Sequence, residues 1–213
     1  MKILRRLLIV ILILVALVAL GVTVFINRIK VNVTADELPQ DVYEANGDYA
    51  DYMRLKGLEM ISADEEEQYS LIEEFLNYLI LDIIKEDINT EYAPLDGETE
   101  TEKNIVNHDQ FNLDFIYAHQ SENDQIVVTV SVKRSDFPEV MTAFNFYFDV
   151  EYSMFTLTLS LDKVFLADME VKYSIYDYFV SLADKDALED YVTDGTLDLD
   201  NYTYTINFLD VYQ

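Results

Sequence analysis

The chain has no cysteine among its 213 residues, only five glycines and three prolines, two histidines and few basic side chains. Without cysteine there is no disulfide framework, no thiol chemistry, no cysteine-zinc site and no lipidated N-terminal cysteine. An exported domain of this kind must hold itself together by packing alone. That suits a bacterial surface protein better than a eukaryotic secreted module. The glycines fall at 21, 47, 57, 97 and 195. No phosphate-cradling loop, dinucleotide fingerprint or G-x-S-x-G elbow can be written from them.

Basic residues are scarce and unevenly placed. Residues 1–30 hold five of the 14, at Lys2, Arg5, Arg6, Arg28 and Lys30, and no acidic residue. Residues 31–213 hold nine basic and all 41 acidic side chains, a balance of −32. Such a surface repels nucleic acid phosphates and anionic lipid headgroups, and attracts basic partners. Nucleic acid is therefore excluded as a partner.

One uncharged apolar run stands out, Leu7 to Ile26. A bilayer-spanning helix needs ~20 such residues. A cleaved signal would have a shorter apolar stretch, with Ala19-Leu20-Gly21 as its cleavage site. Val22, Val24, Phe25 and Ile26 carry the run past that point. The reading is an uncleaved signal anchor, residues 1–30, with a single acidic domain at 31–213. The heavier basic flank before the run places the N-terminus in the cytoplasm and the domain outside.

Ile29 to Val33 reads as an extended exit from the membrane. Thr34 and Glu37 have capping-box spacing, but Pro39 interrupts, so one or two short helices are expected over Leu38 to Leu58. The strongest pattern follows. Ser62 and Glu65 form a second box, and Ile72, Phe75, Leu76, Leu79, Ile80, Ile83, Ile84 and Ile88 recur at helical spacing. Leu71, Tyr78 and Leu81 widen the stripe, which predicts a core helix over Ala63 to Ile88. Asn89 to Gln110, with Pro94 and Asp96-Gly97, reads as a polar loop.

From Phe111 the period changes to two. Four runs alternate: Phe111, Leu113, Phe115, Tyr117; Ile126, Val128, Val130, Val132; Phe144, Phe146, Phe148, Val150, Tyr152; and Phe155, Leu157, Leu159, Leu161. Each predicts a strand with one apolar face. Their polar connections are short, so the strands form an antiparallel meander with one dry and one wet face. Lys163 to Val171 prolongs the fourth strand or starts a fifth. A short helix is expected over Tyr173 to Leu182 and a helical turn over Asp186 to Val192. Tyr202, Tyr204, Ile206 and Phe208 mark a last strand. The fold class is α+β: an N-terminal transmembrane helix, then an antiparallel sheet of four to six strands packed on a long amphipathic helix.

The layout of span, polar-capped helix (Ser62-Ala-Asp-Glu-Glu-Glu) and sheet resembles the YpmS-like family of membrane-anchored bacterial proteins. The strand pair Phe144 to Tyr152 and Phe155 to Phe165, followed by the helix around Ile175 to Leu182, adds to the likeness. The chain departs from that pattern in lacking a glycine- and proline-bearing turn between those strands. The resemblance implies membrane attachment and no specific activity.

Few residues offer chemistry. His108 and His119 flank the first predicted strand and read as surface residues, not metal ligands. Asp184, Asp186, Asp194, Asp198 and Asp200 supply oxygen, but neither stretch keeps the EF-hand register, so capping and turn roles are expected. No catalytic residue, metal site or cofactor emerges. The aromatic stripe Phe144, Phe146 and Phe148, with Leu157 and Leu159, is either core under the long helix or the wall of a hydrophobic groove. The leading expectation is a non-enzymatic, single-pass envelope protein that binds a partner or supports the envelope. A lipid or hydrophobic-ligand carrier is the alternative, and an extracytoplasmic hydrolase comes third.

Overall fold

The computed structural model describes residues 29–31, 33–45, 48–136, 141–153, 155–182 and 195–208. The apolar run 7–26 and the turn expected at 186–192 lie outside them. Among the described residues no helix is long and apolar enough to cross a membrane.

A single 3-10 turn, Ala35–Glu37, leads to α1 (Gln40–Tyr43). Two longer helices, α2 (Tyr49–Ser62) and α3 (Glu65–Ile83), form a hairpin, and α3 ends in a π turn, Ile84–Ile88. The start of α3 differs from expectation. Ser62 belongs to the end of α2, where its hydroxyl donates to the Glu59 carbonyl. Ala63 is extended, and Asp64 caps α3 by accepting from the Glu67 backbone N–H. Asp64 is the first residue beyond the break with a free acceptor, so it takes the capping role.

The stretch expected to be a polar loop contains α4 (Glu100–Lys103), closed by a Thr99/Glu102 capping box, and β1 (Val106–Asn107). It also delivers Tyr92 and Ile105 to the core. Seven more strands follow or flank one further helix: β2 (Phe111–Gln120), β3 (Ile126–Arg134), β4 (Met141–Ser153), β5 (Thr156–Leu166), β6 (Met169–Val171), α5 (Tyr173–Leu182), β7 (Thr196–Asp198) and β8 (Thr203–Asn207). All pairings are antiparallel, in the order β1-β2-β3-β4-β5-β8-β7, with β6 on the remaining edge of β5. Among the described residues the sheet has eight strands instead of four to six. The additional ones are two or three residues long, too short to show alternation.

Two β-bulges reset the alternation. In β2, Leu113 pairs with Val132 and Phe115 with the adjacent Ser131, which leaves Asp114 extra. In β5, Leu161 pairs with Phe148 and Lys163 with Tyr147, which leaves Asp162 extra. An extra residue sends all later side chains to the opposite face. Leu113, Ile116 and Ala118 therefore join the core under α3. Phe115 and Tyr117 turn to the other face and pack with Val33, Leu38 and Ala143. The first predicted strand thus splits between two faces. The second face is not simply wet either: Val31, Val33, Leu38 and Tyr43 cover part of it, and Val127, Thr129 and Ser131 are buried there.

The main core lies between α3 and the first face. Ile72, Phe75, Leu76, Tyr78, Leu79, Leu81 and Ile84 meet Ile126, Leu157, Leu159, Ile206 and Phe208. Ile83 and Ile88, expected in the stripe, are exposed. Tyr78 and Leu81 occupy the inward positions at that end of the helix.

Side chains close the outer edge of β2. Beyond β1, the backbone of every second residue of an edge strand points outward and needs a partner. Tyr92 donates its hydroxyl to the Asp114 carbonyl at 3.2 Å, and Tyr43 to the Ile116 carbonyl at 2.9 Å. Asn77 donates to the Ala118 carbonyl at 2.9 Å and accepts from the Ala118 N–H at 2.7 Å. Glu73 accepts from the Gln120 N–H at 2.7 Å. Helix and loop side chains thus substitute for a missing strand. Burial pushes the hydroxyls of Tyr43 and Tyr92 far above the ordinary tyrosine range.

Candidate functional site

The five residues assigned to a hydrophobic groove share one face of the sheet. Phe144 and Phe146 lie across from Val130 and Val128, Phe148 lies across from Ile126, and Tyr152 and Val150 pair with Leu157 and Leu159. Their surroundings differ. Leu157 is 0% exposed and Leu159 4%, both inside the core under α3, and Phe148 packs against that core. Phe144 and Phe146 are half-buried further down the same face, beside Val164 and Leu166.

His108 and His119 sit at opposite ends of β2, a separation of ~30 Å at the rise of a strand. They cannot share a ligand. His108 stacks on Phe111 with ring centroids 4.9 Å apart, and its Nδ1 accepts from the Gln110 N–H. The Ser135 hydroxyl donates to the His108 carbonyl and not to the ring. His119 leans on Tyr117, its Nδ1 is buried with no hydrogen-bond partner, and burial lowers its pKa. Among the described residues no group of three or more histidine or acidic side chains is placed to hold a metal. Asp198 is occupied in its own turn, accepting from the Asp200 and Asn201 N–H groups and the Asn201 amide. Asp184, Asp186 and Asp194 lie outside the described residues.

Two polar clusters are built around the bulge residues. Asp114, buried, meets Lys133 Nζ at 3.3 Å, and the same ammonium reaches exposed Glu100 at 3.3 Å. Burial raises the Asp114 pKa and Lys133 opposes that rise. The Glu100 carboxyl is held low, first by the Asn104 amide and then by Lys133. In the second cluster, Gln125 Nε2 donates to Asp149 at 2.8 Å and to Asp162 at 3.0 Å. That bond is the main reason the Asp162 pKa lies below its ordinary value. Each cluster compensates an irregular backbone position, which is a structural task.

The surface offers a different kind of feature. On α5, Tyr173, Ile175 and Tyr178 are 56%, 47% and 59% exposed. These three side chains face solvent. Tyr202 donates its hydroxyl to Asp177 at 2.8 Å, and its ring meets that of Tyr173 edge-on. On α2, Met53, Gly57 and Met60 are buried while Leu55, Leu58 and Ile61 point outward. Their threefold spacing has the same appearance in sequence as an inward stripe, so periodicity alone did not single them out. Large apolar side chains exposed together mark contact surfaces more often than chance placement does.

Compared with protein-family models, characterised proteins and solved structures, the chain gives no significant match.

Proposed function

We propose that this chain is a single-pass, membrane-tethered envelope protein whose extracytoplasmic domain works without catalysis, as a binding module that docks a protein partner on α5. The observation that carries this reading is the exposure of Ile175 and Tyr178, three residues apart on one side of this short helix. Tyrosine is among the side chains that dominate interface energetics, since it offers a large rigid surface with one polar tip. An amphipathic helix laid into an apolar groove is a common docking mode. The acidic balance of residues 31–213 favours a partner with a basic rim. The uncharged run 7–26 with its basic flanks supports the tether and the outward orientation.

The test is a photo-crosslinker placed at Tyr178 of the full chain in its native membrane. A discrete protein adduct, lost on adding Ile175→Asp and weakened by salt, is the expected result. The same adduct from a crosslinker at Glu122, on the β2–β3 turn, would make the capture nonspecific and remove the support.

A second reading, a hydrophobic-ligand carrier, draws on the half-buried pair Phe144 and Phe146. Two of its five assigned wall residues, Leu157 and Leu159, are sealed in the core, which weighs against an open cavity there. Lipid adducts from a crosslinker at Phe146, with lipid retained in native mass spectrometry, would favour it.

A further inference from the structure

The descent of the chain from its apolar run fixes which end of the sheet is near the bilayer. The backbone N–H of Val31 donates to the Met141 carbonyl at 2.9 Å. Val33 and Leu38 are buried against Phe115, Tyr117 and Ala143. The polypeptide is therefore fastened to the sheet from Val31 onward. Ile26 is the last residue of the apolar run, and five residues of chain reach at most about 18 Å. The headgroup layer that must be crossed is itself about 5–7 Å thick on each side.

Met141 opens β4 and pairs with Lys133; Phe111 opens β2 and pairs with Arg134. Phe111 thus lies two strand spacings from Met141, about 10 Å. The β2–β3 turn, with Glu122 and Asp124, is at the far end, about 30 Å away along the strands. Phe111 is 44% exposed although aromatic, and it rests on the His108 ring. Arg134 beside it is exposed and is paired with Asp136 at 3.4 Å. An aromatic ring backed by polar groups suits the layer between headgroups and acyl chains.

We infer that the sheet end formed by His108, Phe111, Arg134 and Met141 rests on the bilayer surface, with Phe111 entering the headgroup layer. The inference depends on the membrane-anchor reading of residues 7–26. Because Asp136 offsets Arg134, the contact needs no anionic lipid. It also sets the acidic β2–β3 turn away from the membrane.

The chain contains no tryptophan, so a single one reports without background. Full-length protein carrying Phe111→Trp or Glu122→Trp is placed in phosphatidylcholine nanodiscs, with or without lipid brominated near the top of its acyl chains. Emission from Phe111→Trp is expected to fall about two-fold with brominated lipid, while Glu122→Trp is unchanged. Equal quenching at the two positions, or none at Phe111→Trp, overturns the inference. A chain that does not co-purify with the nanodiscs overturns the anchor reading and the inference together. Should Phe111→Trp fail to fold, Arg134→Cys is the sole cysteine in the chain and carries a nitroxide. Spin-label contact with lipid-dissolved oxygen supports the inference, and contact with aqueous relaxant alone overturns it.

Discussion

At the scale of single residues, the side chains that matter most stand in for missing backbone. Asn77 is 3% exposed, and its amide makes the two bonds that a neighbouring strand would make to Ala118. Asn77→Leu would keep the volume and leave a buried N–H and a buried C=O unpaired. Each orphaned group costs about 1–3 kcal/mol, so urea denaturation should show a loss of roughly 2–5 kcal/mol. Glu73→Gln, at the exposed end of the same edge, should cost under about 0.5 kcal/mol, as a surface change does. A second residue-scale effect is electrostatic. Gln125 holds the Asp162 carboxyl below its ordinary pKa. A carboxyl lowered on folding stabilises the fold above its unfolded pKa of about 3.9 and loses that contribution as pH falls through the folded value. Gln125→Met should therefore move the Asp162 titration upward in a carbon-detected NMR experiment. The stability gap between wild type and variant attributable to Asp162 should close toward pH 3. An unmoved Asp162 midpoint would assign the low pKa to Lys163 instead.

Among elements, the start of α3 separates what periodicity reveals from what it conceals. Asp64→Ala should destabilise the fold by about 1 kcal/mol, the usual worth of an N-cap, whereas Ser62→Ala should stay within about 0.5 kcal/mol. Equal losses would return the cap to Ser62. The sequence carries a valid capping-box pattern at both sites, and only the break at Ala63 between α2 and α3 decides between them. The long strands β2 to β5 were legible because each alternates over many residues. The bulges were not: Phe115-Ile116-Tyr117-Ala118 is apolar at both parities, so a reset of phase leaves no mark. The signal that existed was chemical, an Asp within an apolar strand facing a Lys on its neighbour, Asp114 with Lys133. The edge closure was beyond reach for another reason. Tyr43, Asn77 and Tyr92 come together only through tertiary packing, and none of them has a local pattern. Phe144, Phe146, Phe148, Leu157 and Leu159 were placed on one face by alternation alone. Which of them α3 would cover depended on helix placement along the sheet, which alternation does not encode.

For the molecule as a whole, charge sets a term that no single contact reveals. The formal net charge is −27, and residues 31–213 carry more than four acidic side chains for each basic one. Ion pairs such as Lys56 with Glu74, or Lys133 with Asp114, relieve this locally. The folded domain still concentrates its carboxylates more tightly than the unfolded chain does, and self-repulsion favours expansion. Raising salt from 0.01 M to 0.1 M shortens the screening length from about 30 Å to about 10 Å. That removes most of the long-range repulsion while leaving contacts at 3–4 Å largely intact. The melting temperature of the full chain in nanodiscs should therefore rise with salt by about 3 °C, equivalent to roughly 1 kcal/mol for a domain of this size. Sodium chloride and potassium chloride should act equally, because screening depends on ionic strength and not on ion identity. A calcium effect far larger than ionic strength explains would instead reveal a bound cation among the carboxylates. A fall in melting temperature with salt would mean that the ion pairs outweigh the repulsion, and the acidic surface would then have to be understood as a stabilising network.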